Sequence, residues 1–257
     1  MSTLANAVAV LRLFASDRVE LTVTDVARAL DMPKSSVSRL LKSMRDAGLL
    51  TGAGAAPRYR LGNLVFEITQ AHRQNSVLMD LADTELRAIC QATRHTGYIS
   101  ILDGADVLVL RMFPGREALR VVTPLGSRAA AFATANGRSL LARLPDSELH
   151  ALHSKGLRPP SANAPGSMTD LLERLQAVRN DGWCQAIDEA IPGVHSIAVA
   201  VADANNEEAL AFCVSFPAGQ ASAIEVRRMM RMVTDAARRI AERIGDRFWL
   251  TLPAAAA

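Results

Sequence analysis

Aromatic side chains make up only 4% of the 257 residues, so any core has to be filled by Leu, Val, Ile and Ala. Cysteine is scarcer still. Cys90, Cys184 and Cys213 form an odd, widely spaced set with no C-x-x-C pair. This excludes a disulfide framework and a cysteine-based zinc site, and suits a reducing compartment. No apolar run is long enough to span a bilayer. Arg12, Asp17 and Arg18 interrupt the N-terminal pattern where a secretory leader would be apolar. The expectation is a soluble, cytoplasmic protein with no membrane partner.

Catalytic signatures are equally sparse. The sequence contains no G-x-S-x-G, P-loop or dinucleotide fingerprint. His150 and His153 lie three apart near Glu148 but lack a third zinc ligand. Asp188 and Glu189, adjacent on an expected strand, would point to opposite faces and make poor acid–base partners. No catalytic residue, metal site or cofactor is therefore assigned.

What the chain does contain is a globular composition, 49% hydrophobic and 21% charged, at a length that suits two domains. The formal net charge of +3 is unevenly spread. Residues 1–75 hold ten Lys/Arg against six Asp/Glu, a balance of +4, whereas the remainder holds 19 against 20, a balance of −1. A basic N-terminal quarter attached to a neutral remainder suits a polyanion at one end of the protein.

That quarter carries the informative pattern. Leu4, Val8, Leu11 and Phe14 repeat at helical spacing. Thr22 and Asp25 form a capping box for a second helix, whose Val26, Ala27 and Leu30 face inward. Pro33 opens a third helix. Val37, Leu40, Leu41 and Met44 give this helix an i, i+3, i+4, i+7 stripe, and Gly48 closes it as a left-handed cap. A strand at Leu49–Thr51, a flexible turn from Gly52 to Pro57 and a returning strand at Arg58–Leu61 complete a hairpin. Three helices followed by a hairpin is the order of a winged helix-turn-helix, in which the third helix enters the major groove. Its polar face holds Lys34, Ser35, Ser36, Ser38, Arg39 and Lys42, and the wing adds Arg58 and Arg60. Cations and short hydroxyls suit phosphates and base edges. These eight residues are the candidate contacts to double-stranded operator DNA.

The rest reads as a linker helix followed by an α+β domain on an antiparallel sheet. Strands are expected at Tyr98–Leu102, Val107–Met112, Leu119–Val122, Ser196–Ala202 and Ala209–Ser215. Helices are expected at Thr134–Leu144, Met168–Asn180 and Ala221–Ile244. The domain boundaries are 1–62 for the winged helix, 63–76 for the linker helix, 77–247 for the larger domain and 248–257 for a tail, whose Ala-rich stretch after Pro253 is expected to be disordered.

The run from Leu21 to Leu41, with Pro33-Lys34-Ser35-Ser36-Val37 at its recognition helix, and the Tyr59-Arg60-Leu61-Gly62 after the wing resemble the IclR family of bacterial regulators. Leu102-Asp103-Gly104, Pro124-Leu125-Gly126-Ser127, Ala133-Thr134-Ala135-Asn136-Gly137-Arg138 and Pro192-Gly193-Val194 extend the resemblance over nearly the whole chain. It implies a GAF-like C-terminal domain that binds a small effector, often an organic or aromatic acid. It also implies a homodimer or homotetramer on near-palindromic operators. Carried over by position, the effector site falls on Ala135, Asn136 and Gly137 at a helix start and on Ser196, Cys213 and Ser215 of the sheet. Two features depart from the family. Its acidic run is reduced here to Ala186-Ile187-Asp188-Glu189, and Ser196 stands where many members have Cys, which favours a bulkier, partly apolar acid. The alternatives are an enzymatic C-terminal domain behind a helix-turn-helix, or an architectural DNA-binding protein with no effector.

Overall fold

The computed structural model describes residues 2–14, 18–52, 57–73 and 76–253. The chain divides into two compact units, Met1–Ser76 and Val77–Ala257. The first comprises α1 (Thr3–Phe14), α2 (Val23–Leu30), α3 (Lys34–Asp46), β1 (Leu50–Thr51), β2 (Arg60–Leu61) and α4 (Asn63–Arg73). The Thr22 hydroxyl accepts from the Asp25 N–H at 3.2 Å, and the Asp25 carboxylate accepts from the Thr22 N–H at 2.9 Å. Two of the unpaired amides at the start of α2 are satisfied this way. At the end of α3, Gly48 takes a φ of +79°. The Leu49 N–H reaches Met44 O and the Gly48 N–H reaches Arg45 O, both at 2.9 Å. This is a Schellman closure, and it turns the chain directly into β1.

Val10, Val26, Val37, Leu41 and Leu50 are buried together as the core of this unit. Leu21 and Tyr59 pair through two backbone hydrogen bonds, so the entry to α2 adds to the hairpin as a further antiparallel bridge. Of the turn expected at Gly52–Pro57, residues 53–56 lie outside the described ones, as does Asn75 of the expected break after α4 and the 254–257 end of the expected tail.

The second unit begins with α5 (Val77–Thr93) and the hairpin of β3 (Thr96–Asp103) and β4 (Asp106–Phe113). There follow β5 (Arg128–Ala130), a 3-10 turn over Ala131–Ala133, α6 (Ala135–Leu141), α7 (Asp146–Leu152) and α8 (Met168–Asp181). β6 (Trp183–Ile187), β7 (Val194–Asp203), β8 (Glu208–Pro217), α9 (Ala223–Ile244) and α10 (Arg247–Thr251) complete it. The six strands form one antiparallel sheet in the order β5-β4-β3-β8-β7-β6.

Strand alternation gives the sheet two apolar faces. Ile197, Val199, Val201, Phe212, Val214 and Phe216 pack with Leu86 of α5 and with Met229 and Val233 of α9. Ala198, Ala200, Ala211, Cys213 and Tyr98 face Leu140 and Leu141 of α6 and Leu171 of α8. The second face is lined with small side chains, which lets α6 lie close to it.

A bulge in β4 decides which of its residues face which layer. Ile99 pairs with Arg111 but Ser100 pairs with Val109, leaving Leu110 as the extra residue. Past the bulge the parity inverts. Val107 and Val109 therefore lie on the α6 face while Phe113 joins the opposite core.

Three sequence expectations are corrected. Leu119–Val122 is not a strand. Both of its end residues are exposed, and the segment is held instead by the Tyr98 hydroxyl, which donates to Val121 O at 3.0 Å and accepts from the Thr123 N–H at 2.8 Å. The strand beside β4 is β5, further along the chain. Trp183–Ile187, not foreseen as a separate strand, closes the other edge. Thirdly, the tail does not start at 248. Trp249 of α10 is buried, and its Nε1–H donates to Ala200 O at 2.8 Å. β6 begins at Trp183, opposite Val199, so the backbone of β7 beyond Val199 lacks a strand partner on this side. Trp249 and the Asp246 carboxylate, which accepts from the Ala202 N–H at 2.9 Å, occupy that edge.

Three buried or half-buried imidazoles set a pH dependence. His95 and His195 flank the Phe216 ring at 5.0 and 4.6 Å between centroids. His153 sits edge-on to Phe132. Burial lowers all three below the ordinary 6.5. A histidine held neutral in the fold binds more protons once unfolded, so its contribution is present above about pH 6.5 and lost as pH falls through that value towards the folded one. The melting temperature should accordingly fall between about pH 7 and pH 5, above the range in which the carboxylates titrate. Replacing His153 with Phe should flatten that dependence, and a variant with the parent slope would rule out His153 as a contributor.

Candidate functional site

In the first unit, α3 presents two faces. Val37, Leu40, Leu41 and Met44 are buried, while Lys34, Ser35, Ser38, Arg39 and Lys42 are exposed and Ser36 is half-buried. None of Lys34, Arg39 and Lys42 forms an ion pair among the described residues, so three cations and three hydroxyls share one open face. The wing arginines are arranged differently. Arg58 and Arg60 both turn to Glu20, Arg58 at 3.3 Å and Arg60 through a closer paired contact. The hydrogen bond from Arg60, assisted by its charge and by Arg58, holds the Glu20 carboxyl below its usual range. Both guanidiniums remain more than half exposed and free to exchange this partner for a phosphate.

In the second unit, a cavity of about 110 Å³ opens between the α6 side of the sheet and the segment after β4. Five of the six residues expected at an effector site border it: Ala135, Asn136, Ser196, Cys213 and Ser215. Gly137 does not. A Cβ there would lie 2.1 Å from Ala131 O, so this glycine is what lets α6 close onto the preceding turn.

The register explains the convergence. Ser196 stands opposite Ser215 and Ala198 opposite Cys213, on strands adjacent in the sheet but distant in sequence. The two serine hydroxyls are hydrogen-bonded at 2.7 Å, with the Cys213 sulfur 3.6 Å from Ser215 Oγ. Burial pushes the Cys213 thiol up to about 11, so it stays a neutral, soft surface. Thr134 caps α6, its hydroxyl accepting from the Gly137 N–H at 2.9 Å. Tyr98, Val107, Val109 and Ile191 supply apolar wall.

One element of the wall was not assigned to the site from the sequence. Glu189 borders the cavity and is buried, as is Arg138 of α6. All five guanidinium N–H donors are used. Two go to the Glu189 carboxylate, one to Phe132 O at 3.0 Å, one to Gln185 O at 2.6 Å and one to Cys184 Sγ at 3.3 Å. Arg174 lies 3.6 Å from the same carboxylate. Glu189 is not a strand neighbour of Asp188, as the sequence reading had it. β6 ends at Ile187, and Asp188 takes a left-handed φ of 56° that redirects the chain. The only hints were Arg138 at the end of the Ala133–Arg138 motif and an acidic residue 51 positions away. Of the weighed zinc pair, His150 is exposed and His153 buried. Among the described residues no group of three potential metal ligands comes together. No described helix is long and apolar enough to cross a membrane.

Residues 70–242 match the family model described as bacterial transcriptional regulator IclR, C-terminal, and residues 3–53 match the IclR helix-turn-helix domain. The chain belongs to the IclR family. It is 27% identical over 246 residues to the HTH-type transcriptional regulator KdgR of Dickeya chrysanthemi, covering 95% of this chain and 80% of that one. Among solved structures, an IclR-type transcriptional regulator from Alicyclobacillus acidocaldarius superposes with a TM-score of 0.81 at 21% identity, covering 93% and 97% of the two chains. An IclR homologue from Microbacterium hydrocarbonoxydans complexed with 4-hydroxybenzoate superposes with a TM-score of 0.76 at 24% identity, over 95% and 99%. The protein is thus a DNA-binding transcriptional regulator, with α+β architecture and an N-terminal helix-turn-helix.

For this IclR-family regulator the open face of α3 carries a direct expectation. Ser36→Ala or Arg39→Ala should weaken binding to an operator selected from random duplexes by about 1–3 kcal/mol if each side chain meets a base. Lys34→Ala and Lys42→Ala should instead lower affinity evenly across sequences and reduce its salt dependence. Fluorescence anisotropy at several salt concentrations separates the two classes. Parent affinity in both Ser36→Ala and Arg39→Ala would remove α3 as the reading element.

Proposed function

We propose that this regulator binds a small organic acid in the cavity on the α6 face and that occupancy alters its affinity for operator DNA. The observation that carries the reading is the meeting of Ala135, Asn136, Ser196, Cys213 and Ser215 around one cavity, with paired serine hydroxyls on its floor. The hydroxyls and the first amides of α6, which have no acceptor within the helix, are hydrogen-bond donors to a carboxylate. Glu189 does not repel such a ligand, because Arg138 and Arg174 neutralise it. The presence of 4-hydroxybenzoate in the Microbacterium homologue of the same fold agrees with an acid. The apolar wall agrees with a partly apolar effector. The volume sets a limit, since a cavity of about 150 Å³ is known to admit benzene. At about 110 Å³ a short acid fits directly, and one aromatic ring fits with movement of the walls.

The working unit in this reading is a homodimer or homotetramer with no enzymatic activity, acting in the cytoplasm. Leu4 and Val8 of α1 and Phe66 and Ile68 of α4 are exposed apolar side chains, a pattern that suits a second copy beside the DNA-reading unit. Two-fold symmetry would then place recognition helices about 34 Å apart on a palindromic site, or a multiple of that. An acid that favours one spacing would shift operator affinity by about 1–3 kcal/mol.

The test is a thermal-shift screen of organic and aromatic acids, followed by operator titrations with each hit. Ser215→Leu should abolish the response to the acid while operator binding without acid persists. A Ser215→Leu protein that responds like the parent would show that the effector binds elsewhere. Turnover of the acid would favour an enzymatic domain instead.

A further inference from the structure

Two irregular segments contribute to the cavity wall, and they are held very differently. Residues 188–193 supply Glu189, Ala190 and Ile191 and are tied down at several points. The Asp188 N–H donates to Val194 O at 2.9 Å, the Gly193 N–H to Asp188 Oδ1 at 2.6 Å, the Ala218 N–H to Gly193 O at 2.8 Å and the Ser161 hydroxyl to Asp188 O at 3.0 Å. Residues 114–127, between β4 and β5, supply Thr123 and Ser127. The ends of this strap are fastened. The Arg116 and Glu117 N–H groups donate to Arg94 O at 2.7 and 3.3 Å, the Gly126 N–H to Val109 O at 2.8 Å and the Val109 N–H to Ser127 O at 3.0 Å. Between Ala118 and Leu125, the only hydrogen bonds to the rest of the protein among the described residues are the two made by the Tyr98 hydroxyl, to Val121 O and from the Thr123 N–H. Burial repeats this pattern. Of residues 118–126 only Val121 and Thr123 are half-buried, while the others, Leu119, Val122 and Leu125 included, are exposed.

Tyr98 joins the cavity to the strap. Its side chain lies on the α6 face of the sheet, borders the cavity and is 4% exposed. Since its hydroxyl reaches the strap, the strap must run over that same face, a tyrosine's length above β3. A segment fixed at both ends and by one side chain in the middle opens locally when that one contact breaks, because opening costs no more than the interactions it disrupts. Two hydrogen bonds to a neutral hydroxyl are a modest restraint. The exposed Leu119, Val122 and Leu125 add none, as they already face solvent. We infer that residues 118–125 are a hinged cover over the cavity and that the Tyr98 hydroxyl is its latch. With the cavity as the effector site, on which this role rests, the effector enters and leaves by breaking those two bonds, and Tyr98 sets how fast the site exchanges its ligand.

Cys213 reports on the cover without an effector, since its thiol is free and buried at the cavity. The probe is methyl methanethiosulfonate, a small neutral thiol reagent, applied to the full chain with the labelled positions mapped by mass spectrometry. Cys90, buried in the core on the opposite face of the sheet, is the internal control. Tyr98→Phe keeps the ring and removes the latch. It should speed labelling of Cys213 about tenfold or more, leave Cys90 within about threefold, and abolish the hydrogen-exchange protection of the Thr123 amide. Unchanged labelling of Cys213 overturns the inference. Equal acceleration of both cysteines overturns it too, because it marks a general loss of stability. Should Tyr98→Phe fail to fold, the parent decides. Labelling of Cys213 and exchange at Thr123 should both depend weakly on urea below the unfolding transition, whereas labelling of Cys90 rises steeply. A steep dependence at Cys213, or a Thr123 amide without protection, overturns the cover. For any acid that binds, stopped-flow mixing should show association and dissociation both about tenfold faster in Tyr98→Phe. A change confined to dissociation would make Tyr98 a ligand contact and overturn its role as a latch. If no acid binds, the labelling result still decides the cover, and only the effector reading falls.

Discussion

Glu189→Ala is expected to lower the free energy of unfolding by about 3–5 kcal/mol, because it leaves a buried guanidinium without its counter-charge. The Arg138 side chain is 2% exposed and that of Glu189 is 7% exposed, so neither charge is screened by solvent. Once Glu189 is removed, two of the five donors on Arg138 lose their acceptors, while the remaining three stay bound to Phe132 O, Gln185 O and Cys184 Sγ. The guanidinium is held in place and cannot turn out to water. The melting temperature should drop at roughly 2–4 °C per kcal/mol for a protein of this size. The paired variant Arg138→Met with Glu189→Leu should recover most of the loss, since a well-packed apolar pair often equals a buried ion pair in stability. A Glu189→Ala protein within about 1 kcal/mol of the parent, a range typical of exposed pairs, would show that water reaches the pair.

The second large effect is at the C-terminal end. Trp249→Ala should destabilise the second unit by about 3–5 kcal/mol. The indole is 1% exposed and packs in the core shared by α5, α9 and the sheet. It also meets a backbone need, because its Nε1–H bonds Ala200 O where β6 no longer runs beside β7. Trp249→Phe keeps most of the packing and removes the donor, so a smaller loss of about 1–3 kcal/mol is expected. A chain ended at Asp246 should behave like Trp249→Ala. Urea unfolding of the three proteins gives the ranking directly. An unchanged midpoint in the truncated chain would mean that α10 is a dispensable appendage.

These two sites show where sequence reading stopped. The first unit was almost entirely legible. Thr22 and Asp25, Pro33, the Val37–Met44 stripe and Gly48 lie within a few residues of the groups they satisfy, and helix caps and helical periodicity act over one or two turns. Five of the six residues that resemblance assigned to an effector site border one cavity, but only register shows why they meet. Ser196 and Ser215 meet because β7 and β8 pair in one alignment, and a shift of one residue would send both to the opposite core. The placing of Leu119–Val122 as a strand failed for a related reason. Its β-forming residues find no ladder partner, and the Tyr98 hydroxyl binds that stretch from 25 positions upstream, at Thr123.

Local chemistry, then, was enough to identify the helix-turn-helix unit, the open basic face of its third helix, the mixed character of the larger domain and the family. All of these depend on contacts between near neighbours or on motifs kept in order. Tertiary structure alone decided the strand order β5-β4-β3-β8-β7-β6, the bulge that sends Val107 and Val109 to the cavity side, the Arg138–Glu189 pair and the docking of Trp249 on Ala200. Partners 49 and 51 residues apart have no shared local signature. Whether such groups meet depends on how the whole sheet closes, because each is stabilised only after loop closure has brought it beside a partner that the intervening chain does not specify.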